Sequence, residues 1–198
     1  MPAIIDYAEV LERMTSRGFV SLYHHSGAFG FARGVEVKVA GWIGPDDPTI
    51  REDASNFVRR VAEPYASNLA ASLEGIWKER LSPHDAWLMP KSHWHYELHF
   101  GNRALLETLL PEIRIDPHQL RERNDGSAIA FLLSESDRLR YATEQLLLNL
   151  NYSDFLIAWP EAATLCTVHQ HQQLWWQTTS DSVHPFVFKV GRGVGEPG

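Results

Sequence analysis

The last third of the chain sets three strand-like runs almost end to end: Asp154–Trp159, Ala163–His171 and Gln173–Thr178, with Pro160-Glu161 turning the first pair. Strands joined by connections this short pair antiparallel, because a parallel pair needs a crossover of about a dozen residues. A hairpin-built sheet is therefore the first constraint on the fold.

Helical patterns are interspersed with such strands. Tyr7, Val10, Leu11 and Met14 share one helical face, with Asp6 and Glu9 at its start and Gly18 beyond its end. Thr49 and Glu52 form a capping box ahead of Phe57, Val61, Tyr65, Leu69, Leu73 and Trp77, a pattern that Pro64 interrupts. Gly101-Asn102 opens a short helix to about Leu110. Ser134 or Ser136 caps another carrying Leu139, Ala142, Leu146 and Leu150. Phe19–His24 and the alternating Val35, Val37 and Val39 read as a hairpin across the glycine-rich SGAFGFARG, Ala128–Leu133 reads as a short buried strand, and Val183–Val190 as a further strand. Pro83 and Pro90 bracket a predicted loop. Without a strict βαβ rhythm or long aliphatic strands, the expected class is α+β: a mostly antiparallel sheet built from hairpins with helices packed on one face. It would span residues 1–190 as one domain, with an internal hinge near 83–90 and a disordered tail at 191–198.

Composition narrows the partners. Apolar residues make up 44% of the 198 and charged residues 22%, which suits a globular domain with its own core. The net charge of −7 argues against nucleic acid, whose backbone needs a basic footprint. A single cysteine, Cys166, rules out an internal disulfide and a multi-cysteine zinc site, and its place in an apolar run reads as a core thiol. MPAIIDYAEV lacks a basic segment followed by an apolar core, and no apolar run reaches about 18 residues. The expected compartment is a reducing cytoplasm, with no membrane partner. The glycine spacing in SGAFGFARG fits neither a Walker loop nor a dinucleotide fingerprint.

The chemistry gathers in SHWHYELHF, Ser92–Phe100. Read as a strand, it puts His93, His95, Glu97 and His99 on one face and Trp94, Tyr96, Leu98 and Phe100 on the other. His93 and His99 would then lie about 20 Å apart at a rise of about 3.3 Å per residue, too far for one site. Two neighbours in the row can share one ion if other ligands come from elsewhere. TVHQHQQLWW supplies a second pair, His169 and His171. If the two strands are neighbours, His93, His95, His169 and His171 become candidate ligands for a divalent transition metal, with Glu97 as ligand or general base. His99, Trp175 and Trp176 are the candidate ligand-binding residues; the adjacent tryptophans point to opposite strand faces, so one reads as core and the other as a roof over the histidines. Histidines that simply pack on Trp or Tyr, or face water, are the ordinary alternative.

Three functions follow from these features. The first is a non-catalytic module that binds a small ligand or a protein through a histidine- and aromatic-lined sheet face. The second is a metal-dependent, zinc-type hydrolase using the paired HxH ligands. The third is an acidic partner that neutralises a basic macromolecule, resting on charge alone.

Overall fold

The run AWLMP, Ala86–Pro90, lies at the heart of the molecule, and every one of its residues is buried. It shows no polar alternation because both of its faces are covered. The computed structural model describes residues 1–43, 58–59, 65–151 and 153–184. In chain order its elements are β1 (Ala3–Ile5), α1 (Tyr7–Ser16), β2 (Phe19–Ser21), β3 (Phe29–Phe31), β4 (Lys38–Ile43), β5 (Val58–Arg59), α2 (Tyr65–Ile76), β6 (Ala86–Pro90), α3 (Trp94–His99), α4 (Arg103–Glu112), α5 (His118–Arg121), β7 (Ala128–Phe131), α6 (Ser136–Asn149), β8 (Phe155–Trp159), β9 (Thr164–His169) and β10 (Gln173–Thr178).

Eight strands form one sheet in the order β1-β7-β6-β8-β9-β10-β4-β5. Its pairings are antiparallel except the short parallel contact of β4 with β5. The class is α+β, as the sequence predicts. Side chains alternate across the central strands into two cores. Leu88, Phe131, Ile157, Trp159 and Val168 meet Leu73, Leu98, Leu109 and Leu146 from the helical layer α2 to α6. Trp87, Met89, Leu156, Ala158 and Leu165 face the other way, against Val10 and Met14 of α1 and Phe19 and Phe29 of a separate β2–β3 hairpin. Five helices thus share one face, and α1 with the hairpin covers part of the other.

Several local expectations change. The segment bracketed by Pro83 and Pro90 is mostly strand β6, since a fully buried strand carries no alternation to announce it. Phe19–Ser21 pairs with Phe29–Phe31 rather than with the valine run, whose end joins β4 in the main sheet. Val58 and Arg59 form a strand beside β4, not a helix. The capping box Thr49–Glu52, the tail 191–198 and the proposed strand Val183–Val190 beyond His184 lie outside the described residues.

The hairpin loop is pinned by a close backbone crossing. Gly126 N–H donates to His25 O at 2.7 Å, and Gly27 N–H donates to Ser92 O at 3.2 Å. A Cβ on Gly126 would stand 2.1 Å from Gly27 N, and one on Gly27 would stand 2.2 Å from Pro90 O. Backbone on both sides leaves nothing flexible to yield. Gly126→Ala should therefore cost about 2–3 kcal/mol of unfolding free energy. Gly75→Ala, inside α2 with nothing within 4 Å of the new methyl, should add about 0.5–1 kcal/mol. Urea denaturation of the two variants checks the contrast; equal effects would contradict it.

Candidate functional site

The stretch Ser92–Phe100 is not a strand. It turns at Ser92-His93 and enters α3, with His93 as N-cap: its Nδ1 accepts from Tyr96 N–H at 3.1 Å. The nine residues alternate at period two, yet Trp94 and Leu98 are also four apart, and both enter the helical-side core. That second spacing is the helical signal the alternation conceals. On a helix, His95 and His99 come together, their rings 4.2 Å apart, while His99 Nδ1 bonds the His95 carbonyl at 2.9 Å. Both lie on the outer surface with Tyr96 and the 74%-exposed Phe100.

Glu97 leaves this row altogether and is fully buried. Its Oε1 accepts from Ser92 Oγ at 2.5 Å, and its Oε2 accepts from Asn102 Nδ2 at 2.8 Å and Ser153 Oγ at 3.0 Å. Asn102 Oδ1 in turn accepts from Asn151 N–H at 2.8 Å. The carboxylate joins three chain segments: the exit from β6, the α3–α4 junction and the approach to β8. Gly101 has no room for a side chain there, its Cβ position being 2.5 Å from Glu97 Oε2. The catalytic role expected of Glu97 gives way to a buried anchor. Glu97→Ala would leave three donors without their acceptor and should cost about 2–4 kcal/mol, measured by thermal or urea unfolding.

The second histidine pair also changes geometry. β9 ends at His169, and His171 lies in the following turn, where Gln172 takes φ +59°. The two rings meet edge to face at 4.8 Å. Among the described residues, no three His, Cys, Asp or Glu side chains gather so as to hold a metal ion. His93, His95, His169 and His171 thus form two separate pairs rather than one set. Cys166 is fully buried in the helical-side core, and burial pushes its thiol well above the usual range. Trp176 also belongs to that core, stacked on Trp159 at 5.7 Å, whereas Trp175 meets His169 edge to face at 5.6 Å.

Register alone brings a different site together. Pro90 pairs with Phe155, and Phe155 with Val168, so β6, β8 and β9 run out at one end of the sheet. Lys91, Asp154 and His169 stand at that end. Lys91 N–H donates to Asp154 O at 3.0 Å. Asp154 Oδ1 accepts from His169 Nδ1 at 2.6 Å and from Gln170 N–H at 3.3 Å, and Lys91 Nζ lies 3.5 Å from Oδ2. Partial burial would raise the Asp154 carboxyl. The His169 bond and charge, Lys91 and the Gln170 amide outweigh it and hold the group below the usual aspartate range.

These three residues border a cleft of about 510 Å³ on the sheet face opposite the helical layer. Leu156, Leu165, Thr167 and Trp175 form its floor, and Leu22, Phe29 and Phe31 of the hairpin its roof. Glu97 supports the same end, because Ser92 follows Lys91 and Ser153 precedes Asp154. Sequence reasoning singled out His169 as a candidate metal ligand and Trp175 as a ligand-surface candidate but missed Lys91 and Asp154, which lie 63 residues apart and carry no motif.

A carboxylate whose pKa is lower in the folded chain stabilises it above the ordinary aspartate range, and the effect is lost as pH falls through the lowered value. Asp154→Asn should therefore melt below the parent at pH 7. The gap should shrink once pH drops below about 4, the ordinary aspartate range. Melting curves from pH 7 to pH 2.5 check this; a gap independent of pH would contradict it.

No helix among the described residues is long and apolar enough to cross a membrane. Comparison with protein-family models, with curated proteins and with solved structures finds no significant match for this chain.

Proposed function

We propose that the protein binds a small, largely apolar ligand in the cleft between the sheet and the β2–β3 hairpin. One observation carries the reading: a cleft of about 510 Å³ whose walls are mostly apolar and whose charged groups all stand at one end. That size and that lining, apolar with a few convergent polar groups, are the general marks of a small-molecule site. His169 and Trp175 support the reading, since both border the cleft on the sheet side, whereas the α3 histidines do not.

The metal-dependent hydrolase reading retains two-histidine sets only, His95 with His99 and His169 with His171. The acidic-partner reading continues to rest on the net charge of −7. Neither gains an observation comparable to the cleft.

An uncharged fluorescent naphthylamine tests the proposal. Its emission should rise saturably, at one probe per chain, with a Kd in the micromolar range, on the order of −8 kcal/mol. Thr167→Trp, which fills the floor, should abolish the rise while leaving the melting temperature within a few degrees. Emission that never saturates, or that Thr167→Trp leaves unchanged, would contradict it.

A further inference from the structure

We propose that the cleft takes an apolar molecule ending in a carboxyl group, held between Lys91 Nζ and His169 Nε2. The inference rests on the ligand-binding reading of the cleft and names the polar end of that ligand.

The argument is an inventory of unused hydrogen-bonding capacity. An ionised Asp154 only accepts, so the hydrogen of the 2.6 Å bond belongs to His169 Nδ1. Asp154 Oδ1 is occupied by that bond and by the Gln170 amide, and Oδ2 faces Lys91. Asp154 therefore has little left for a ligand. His169 Nε2 bonds no described residue; on a neutral ring with the hydrogen on Nδ1 it accepts, and on the charged ring it donates. Lys91 Nζ carries three N–H groups and makes one long contact of 3.5 Å. Lys91 and His169 both border this end of the cleft and flank one aspartate, so the end offers two nitrogen side chains with capacity beyond Asp154.

A carboxylic acid matches both at once: its O–H donates to Nε2 and its carbonyl accepts from Nζ. If the proton passes from the acid to Nε2, the ligand becomes a carboxylate between an imidazolium and an ammonium. Asp154 and the ligand then carry two negative charges, and Lys91 and His169 two positive ones. That balance suits a site whose remaining walls are mostly apolar, where an unpaired charge is costly. An ester has no O–H for Nε2. An alcohol must satisfy both groups through one oxygen. An amine adds a second cation beside Lys91. His171 and Trp175 meet the His169 ring edge to face and fix its plane. His171 and Asp154 are titratable groups in contact with His169, and Lys91 lies on the far oxygen of Asp154.

Calorimetry with decanoic acid, methyl decanoate, decanol and decylamine, each below its aggregation limit, tests the assignment. The full chain should bind the acid about tenfold or more tighter than the ester or the alcohol, the size of one charge-assisted hydrogen bond. Lys91→Met and His169→Phe should each bring that preference below about threefold while leaving ester affinity in place. Saturable binding of the ester and alcohol without a preference for the acid would overturn the ligand class and leave the cleft reading intact. A preference that survives both substitutions would overturn the assignment to Lys91 and His169. If none of the four compounds binds, both the ligand class and the cleft reading fall.

Discussion

Burial of β6 and β8 on both faces is the constraint from which the rest follows. Neither strand has a polar residue between Ala86 and Pro90 or between Phe155 and Trp159. A sheet centred on such strands must be covered twice. The helices α2 to α6 pack on one side. On the other, among the described residues, the N-terminal helix and a two-stranded hairpin pack on the sheet and leave a cleft beneath the hairpin. The functional proposal is thus a consequence of how the second face is closed.

Two carboxylate-centred, hydrogen-bonded groups stand back to back where these strands emerge: the buried Glu97 with Ser92, Asn102 and Ser153, and the cleft-facing Asp154 with His169 and Lys91. They are linked through the chain, since Ser92 adjoins Lys91 and Ser153 adjoins Asp154. The first group has neutral donors around one carboxylate and serves the backbone. The second has a cation and an imidazole with capacity to spare and faces open space. Two carboxylates held by segments that adjoin in sequence can do different work, because their surroundings differ.

Much of the architecture was legible in the sequence. Short turns forced β8, β9 and β10 into an antiparallel succession, and the α1 and α6 faces followed from their spacing. What misled was SHWHYELHF, whose residues satisfy period two and period four at once; the turn at Ser92-His93 and the backbone bonds from Trp94 and His95 to Asp125 and Arg123 decide for a helix. β6 escaped notice for the opposite reason, having no period at all. Of the site, His169 and Trp175 were visible as part of an aromatic, histidine-bearing strand. Lys91 and Asp154 were not, because only strand register brings residues so distant in the chain together. Adjacent on one strand, Trp175 and Trp176 point apart: Trp176 packs in the core on Trp159, and Trp175 meets His169 at the cleft.

The central claim is that the space under the β2–β3 hairpin is where this protein meets a small molecule. Titration of isotope-labelled protein with the uncharged naphthylamine, followed by NMR, tests it most directly. The account predicts saturable shifts at the Gly30, Thr167 and His169 amides and at the Trp175 indole N–H. Shifts confined to the aromatic surface of α3 around Tyr96 and Phe100, or no shifts at saturating probe, would contradict it.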